Sequence, residues 1–274
     1  MQPRDDGPGA PGQDPRWPGR RNDRLQDRGC GAGQEREPEH RVVNAAGVIG
    51  DGVRDVPPAE VPHQLCALVV KLLPVSGASV SLCGSGMPVQ VSASDDAAAR
   101  MADVQATLGD GPCLYAAEIG APVLASDLTT GRDVRRWPVF AQQAAEAGVQ
   151  AVYSLPLGND AVCVGTLDLY GGIPHELSGR ELHTAQLVAG AMTLALMSLS
   201  HEVDIEERAD HSWLSGLTTD HDEVYQAIGM IMAQLGVGSD EALARLRARA
   251  FAQGRTALDV AHEVISCRER FDGD

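Results

Sequence analysis

Residues 220–271 carry a hydrophobic pattern that short amphipathic helices satisfy. Apolar residues recur there at three- and four-residue spacing, which places them on one face of a helix. The pattern breaks at Gly236 and Gly254, and glycine accepts the left-handed conformation needed just past a helix C-terminus. Capping residues open the three segments at Asp220, Ser239 and Thr256. The sequence therefore predicts three helices that pack into a small all-helical module.

Three strings within these helices follow one another in an order typical of a known family. They are Gln226-Ala227-Ile228-Gly229-Met230-Ile231-Met232, then Glu241-Ala242 with Leu246-Arg247, then Leu258-Asp259-Val260-Ala261. Together they resemble the ANTAR domain, the RNA-binding module of transcription antitermination regulators. One position departs from the family pattern, since Ile228 stands where a basic or small residue is usual.

The resemblance implies which residues would contact RNA. The small residues on the first helix would allow close approach of an RNA loop, Arg247 would contact phosphate or stack on a base, and the start of the third helix would offer backbone N–H groups. The candidate RNA-binding residues are Gln226, Ala227, Gly229, Arg247, Arg255 and Thr256.

The charge of the chain is unusual for a protein that binds nucleic acid. The formal net charge is -16, and residues 58–220 hold 19 acids against 7 basic residues. Residues 221–274 are nearer balance, with 9 acids and 6 arginines. RNA binding would therefore depend on exposed bases and a few arginines, and the alternative is that these arginines only solvate a helix face.

The rest of the chain divides by composition. Residues 1–57 are rich in Gly, Pro, Asp and Arg with few large apolar side chains, so we expect a disordered tail. Residues 58–200 alternate between helical and strand patterns, which predicts an α+β domain with a mainly antiparallel sheet and flanking helices. A helical connector is expected over 201–219, followed by the three-helix module over 220–274.

Residues 58–200 resemble the GAF domain, a small-molecule sensory fold. The resemblance rests on Leu108-Gly109-Asp110-Gly111-Pro112-Cys113, Arg136-Trp137-Pro138 and Gly165-Thr166-Leu167-Asp168-Leu169-Tyr170. It implies a ligand pocket between the sheet and residues 109–137, and no cofactor can be named from the residues. A GAF domain followed by an ANTAR domain resembles actinobacterial regulators, and the near absence of lysine fits a GC-rich genome.

Known catalytic and metal-binding patterns are not found in the sequence. It has no P-loop, no G-x-S-x-G, no H-E-x-x-H and no Rossmann fingerprint, and its six cysteines form no C-x-x-C pair. We therefore expect neither an enzyme nor a metal site. Cys113 opens a short predicted helix and is a candidate for redox or ligand sensing, although a small buried hydrophobe is the alternative. Cys83 and Cys163 are expected in the core.

The most apolar run, 187–199, is too short to span a bilayer comfortably. We expect the helix from Ser178 to Glu207 to pair two subunits instead. No secretory signal is visible, so the expected location is the cytoplasm without membrane attachment.

These expectations combine into one leading function. The sensory domain would receive a signal, which is a small molecule or another kind of stimulus. A homodimer would bind tandem hairpins in mRNA leaders and act as an antiterminator. Two alternatives stay open: a sensor that signals only through protein contacts of its helical tail, and a redox enzyme of the GAF type that uses Cys113.

Overall fold

The structure is a computed structural model. It describes residues 37–83, 87–159, 162–205 and 212–272, with side chains described for 45–83, 87–159, 162–199 and 222–272.

An antiparallel sheet forms the middle of the chain. Its strands are β1 (Gly77–Leu82), β2 (Val89–Ala93), β3 (Val123–Ala125), β4 (Ala151–Asn159) and β5 (Val162–Gly171). They lie in the order β2-β1-β5-β4-β3, and every neighbouring pair is antiparallel. The long strands β4 and β5 form a hairpin at the centre, so they carry residues to both faces of the sheet.

Helices precede, flank and follow the sheet. They are α1 (Glu37–Val53), α2 (Val61–Leu72), α3 (Asp96–Leu108), α4 (Pro112–Ile119), α5 (Gly131–Arg136), α6 (Pro138–Glu146), α7 (Gly179–Ile205), α8 (Ser212–Leu235), α9 (Ser239–Gln253) and α10 (Ala257–Ile265). We call α1 to α7 with the sheet the sheet domain, and α8 to α10 with the residues up to 272 the helical module.

The sheet domain has a core on each side of the sheet because successive strand residues point to opposite faces. On β4, Tyr153 packs with Leu65 of α2 and Met192 of α7, whereas its neighbour Val152 packs with Phe140 of α6. All of these side chains are fully buried or nearly so. The predicted α+β class is therefore confirmed.

The helical module has its own core. Ala227 and Ile231 of α8, Leu246 of α9 and Val260 and Ala261 of α10 are 0% exposed. The predicted end of α9 is confirmed by Gly254, whose φ is +63°. The predicted start of α10 is confirmed by a capping box between Thr256 and Asp259. The inward face of α10 differs from the predicted one, since Val260 and Val264 are buried while Leu258 and Ile265 are only partly covered.

Two sequence predictions about boundaries are wrong. Residues 37–53 form α1, where the tail was expected to be disordered, because Ala45 and Ile49 are one helical turn apart and bury themselves against the sheet domain. Asp220 lies inside α8 and does not cap it, because the helix already begins at Ser212. The rest of the expected tail, 1–36, lies outside the described residues.

The apolar helix α7 is longer than the run seen in the sequence. Within the described residues, its segment Gly179–Leu199 is the one helical stretch whose length and hydropathy would suffice to cross a membrane. One face of that segment, with Ala185, Val188 and Met192, belongs to the core of the sheet domain. The predicted capping box at its start is confirmed, because Ser178 and Glu181 exchange side-chain to backbone hydrogen bonds.

Candidate functional sites

The first group of candidate RNA-binding residues lies on α8 and presents an open surface. Gln226 and Gly229 are exposed one turn apart. No atom of the described residues lies within 4 Å of the position a Cβ on Gly229 would occupy. Ala227, between them, is fully buried and supports this surface from the core. Because Gly229 has no side chain, another macromolecule can approach the backbone of α8 closely at this position.

The second group lies where the helical module meets the sheet domain, a boundary we call the seam. Arg247 of α9 is half-buried, and its Nε donates a 3.1 Å hydrogen bond to the carbonyl oxygen of Ala106. Ala106 is in the last turn of α3, where carbonyl groups have no partner within the helix. The guanidinium therefore satisfies an orphan carbonyl at the negative end of α3, and burial lowers the pKa of Arg247.

The start of α10 completes the seam. The N–H of Ala257 donates a 3.1 Å hydrogen bond to Oγ1 of Thr107, which again belongs to the last turn of α3. Thr256 is engaged in the capping box with Asp259. Backbone N–H groups that could receive an RNA phosphate are thus already bonded in this arrangement.

Most other arginines of the helical module make ion pairs within it. Arg255 lies 3.6 Å from Glu263, and its Nη2 donates to the carbonyl oxygen of Asp259. Arg245 pairs with Glu241 one turn away, Arg249 pairs with Glu269, and Arg268 pairs with Glu263. Such exposed or half-exposed pairs are weak and exchange readily with other anions, so an RNA phosphate could displace the carboxylates.

A cleft of about 380 Å³ runs along the seam. Its walls include Arg100 and Asp103 of α3 and Phe251 of α9. Arg255, just before α10, and Asp259, in the first turn of α10, line the other side. Burial, with a smaller contribution from the charge of Asp259, raises the pKa of Asp103 to about 6. The seam therefore holds two carboxyl groups that repel each other when both are ionised.

A smaller cavity, of about 160 Å³, lies between the sheet and α4, in the region where the sequence predicted a sensory pocket. Its walls include Cys83, Met87, Cys113, Leu114 and Thr166.

Cys113 is buried in the wall of this cavity. Its backbone N–H donates a 2.9 Å hydrogen bond to Oε1 of Gln105. Burial raises the pKa of the Cys113 thiol well above its ordinary value, and backbone hydrogen bonds at the helix start lower it less. The activation expected from the helix N-terminus is thus outweighed, and Cys113 has the environment of a buried hydrophobe.

A buried acid lies behind the same cavity. Asp168 is 0% exposed, and it accepts hydrogen bonds from the hydroxyls of Ser154 and Thr166. Burial raises its pKa to about 7, although both hydroxyls act in the opposite direction. Thr166 also lines the cavity, so the side chain of Thr166 lies between Asp168 and the cavity.

Sequence reasoning missed two features. One is the pair Ala106 and Thr107 on α3, which bonds to the helical module. No local sequence pattern predicts this contact, because its partners are far along the chain. The other is the approach of Cys83 to Cys163, whose Sγ atoms are 3.6 Å apart; a correct strand register would have indicated it. Among the described residues, no three His, Cys, Asp or Glu side chains gather as a metal site requires.

Comparison with known proteins places both parts of the chain. The GAF domain family model matches residues 58–196, and the ANTAR domain family model matches residues 218–265. No curated protein matches the chain.

Solved structures resemble the sheet domain at low identity. The GAF domain of a phosphoenolpyruvate-protein phosphotransferase from Coxiella burnetii is 13% identical, with a TM-score of 0.47, covering 60% of this chain and 98% of its own. The reduced form of fRMsr of Staphylococcus aureus is 13% identical, with a TM-score of 0.41, covering 60% of this chain and 97% of its own. A domain of a two-component sensor histidine kinase protein from Sinorhizobium meliloti is 16% identical, with a TM-score of 0.43, covering 54% and 96%.

Proposed function

Since the chain belongs to the GAF domain family and carries a C-terminal ANTAR domain, we propose that it is a signal-responsive antiterminator that binds hairpins in nascent mRNA. The sheet domain is the GAF domain and the helical module is the ANTAR domain. The chain thus joins a sensory domain to an RNA-binding domain, which makes it a regulator. Binding that favours one RNA secondary structure over another suffices for antitermination, and no bond is made or broken.

The observation that carries the proposal is the contact of Arg247 with Ala106 across the seam. An arginine of the RNA-binding motif is held by the sensory domain, while Gln226 and Gly229 remain open. A signal that loosens the seam would add Arg247, Arg255 and Thr256 to the surface available to RNA. Ala227 would stay in the core and support that surface from beneath. The described arrangement is then the weaker of two RNA-binding states.

The 160 Å³ cavity beside α4 is our proposed receptor for a small signal molecule. It touches the loop before β2, where Met87 packs against the core of the helical module. Occupation of the cavity could therefore bias the seam, because the two share a wall. The identity of the molecule is open, and so is the cofactor.

We also propose that the protein works as a cytoplasmic homodimer paired through α7. Leu194 is 68% exposed on this helix, and a large apolar side chain in that position gains from a partner. Two linked RNA-binding modules bind tandem hairpins more tightly than one, because the second contact is made at high effective concentration. Part of the proposed pairing segment, Ser178 to Glu207, extends past the described side chains.

Titration of a labelled RNA with two tandem hairpins, using the full chain at two salt concentrations, tests the proposal. We expect salt-sensitive binding, because phosphate contacts release counterions. Gly229→Glu should weaken binding about tenfold or more, since it adds a charge and a long side chain to the open face. Gly47→Glu is the matched control, because Gly47 is also an exposed helical glycine with open space around its Cβ position, on α1.

Equal RNA affinity of the two variants, or no salt-sensitive binding, would contradict the proposal. Absence of RNA binding would favour a sensor that acts through protein contacts of the helical module, in line with its 9 acids against 6 arginines in residues 221–274. An enzyme that uses Cys113 finds less support, because burial raises the pKa of that thiol.

A further inference from the structure

Two cysteine side chains meet at one end of the sheet. Cys83 follows β1 directly, and Cys163 is the second residue of β5. Their Sγ atoms are 3.6 Å apart, and the N–H of Cys83 donates a 3.0 Å hydrogen bond to the carbonyl oxygen of Val164. The two thiols are thus on neighbouring backbone segments, 80 residues apart in sequence.

Local irregularities in the strands aim the two side chains at each other. The β4–β5 hairpin shifts register between Leu157 and Gly158, opposite Cys163, and such bulges redirect the side chains beside them. On the other side, a Cβ at Gly165 would lie 2.3 Å from the carbonyl oxygen of Ser81. Because Gly165 has none, β1 can approach β5 closely at this point.

Solvent reaches the pair from two sides. Cys83 is exposed and borders the 160 Å³ cavity, while Cys163 is half-exposed and borders a second cleft, of about 410 Å³. Cys66 and Cys113, in contrast, are buried. A small oxidant can therefore reach Cys83 and Cys163 without unfolding the sheet.

We propose that Cys83 and Cys163 form a redox-modification site, which a hydroperoxide converts to a reversible disulfide. The thiolate of one of the two cysteines attacks one peroxide oxygen, the O–O bond breaks, and protonation of the leaving hydroxide gives water and a sulfenic acid on that cysteine. The sulfur of the other cysteine then attacks the sulfenic sulfur, and the hydroxyl leaves as a second water. In sum, two thiols and one hydrogen peroxide give one disulfide and two waters.

The 3.6 Å separation assigns the pair, and either sulfur can take the first step because either thiol can donate the hydrogen bond between them. The sulfurs must approach from 3.6 Å to about 2 Å, a movement that rotation of two side chains can supply.

Peptide mapping of the full chain after hydrogen peroxide treatment tests the site. The protein carries Cys30→Ser and Cys267→Ser, which remove one cysteine outside the described residues and one exposed cysteine. We expect a linked peptide that joins Cys83 to Cys163 and that dithiothreitol separates. Cys83→Ser and Cys163→Ser should each abolish it, whereas Cys113→Ser should retain it.

A link from Cys83 to Cys113 would overturn the assignment. So would survival of both thiols in the folded protein under conditions that oxidise the same chain in guanidinium. This readout does not involve RNA, so failure here is distinct from failure of the proposed function.

Discussion

The Nε of Arg247 in the helical module donates a hydrogen bond to the carbonyl oxygen of Ala106 at the end of α3. The neighbouring Thr107 accepts a hydrogen bond from the N–H of Ala257, at the start of α10. The end of α3 thus has a free carbonyl that the Arg247 side chain satisfies, and the start of α10 has a free N–H that the Thr107 side chain satisfies. Two hydrogen bonds of this kind are individually weak, so they suit an equilibrium between two arrangements better than a permanent junction.

Thr107→Val should loosen the seam. The substitution keeps the shape of the side chain but removes the acceptor of the Ala257 N–H, which costs about 1–3 kcal/mol when the donor remains buried. We expect faster hydrogen exchange at Ala257 and, because Thr107 belongs to the sheet domain, tighter binding of tandem-hairpin RNA. Thr107→Ser keeps the hydroxyl and should behave like the wild type. Weaker RNA binding by Thr107→Val would argue that the described arrangement is the binding-competent one.

Gly109→Ala should displace Arg247. Gly109 has φ +66°, and a Cβ there would lie 2.4 Å from Nη1 of Arg247. Gly120→Ala is the control, since Gly120 has φ +63° and no described atom lies within 4 Å of its Cβ position. Both variants should lose about 1 kcal/mol of stability from the left-handed backbone, measured by urea denaturation.

The difference between these two variants isolates the seam. Only Gly109→Ala should increase exchange at Ala257, because only there does the new methyl group meet the guanidinium. Equal exchange in both variants would mean that Arg247 accommodates the methyl group without leaving Ala106.

Asp168→Asn should change how stability depends on pH. The pKa of Asp168 is raised to about 7 in the folded protein from an ordinary 3.8. The folded state therefore binds the proton more tightly, and the free energy of unfolding falls as pH rises from about 4 to about 7. Each unit of pKa shift corresponds to about 1.4 kcal/mol. The asparagine variant should show a smaller decline in urea titrations at successive pH values, with the remainder coming from Asp103, whose pKa is also raised.

Asp127 supplies a control of opposite sign. Hydrogen bonds from Thr129 and Thr130 lower its pKa to about 2. Its contribution is present above pH 4 and is lost as pH falls toward 2. Asp127→Asn should therefore lower stability at neutral pH and change the slope of stability against pH only below about pH 4. If Asp168→Asn leaves the slope between pH 4 and 7 unchanged, Asp168 ionises as an ordinary carboxyl.

Leu194→Glu should dissociate the proposed homodimer. Leu194 is 68% exposed on α7, and a carboxylate in an apolar interface would be desolvated without a partner. Light scattering should show the mass of one chain where the wild type shows two. Ile173→Glu is the control, because Ile173 is 69% exposed in the segment before α7 and receives the same charge. A wild-type protein that is already monomeric would refute pairing through α7.

Local sequence patterns predicted much of the fold. Strands β4 and β5 lie within residues 58–200, where the sequence predicted a mainly antiparallel sheet, because branched and aromatic residues are frequent in both. The short helix α5 was missed, since Gly131–Arg136 has no apolar periodicity to mark it. Helix α1 was missed because its apolar residues are few and are diluted among polar ones.

The candidate site was predictable only in part. The six RNA-binding candidates were named from motif positions, and the structure separates them by environment. Gln226 and Gly229 lie on an open face and Ala227 in the core, while the other three, Arg247, Arg255 and Thr256, lie at the seam. Motif spacing carries no information on which face of a helix a distant domain will cover. Their role in RNA binding remains a prediction.

By itself, the sequence determined several helix caps, the antiparallel sheet and the two families that the chain joins. Caps such as Ser178 with Glu181 and Thr256 with Asp259 act over three residues, so they can be read locally. Only the tertiary structure decided that Arg247 bonds to Ala106, 141 residues away, and that Cys83 meets Cys163. Such contacts depend on how whole elements pack, because the free energy that brings them together comes from the buried cores and not from the residues in contact.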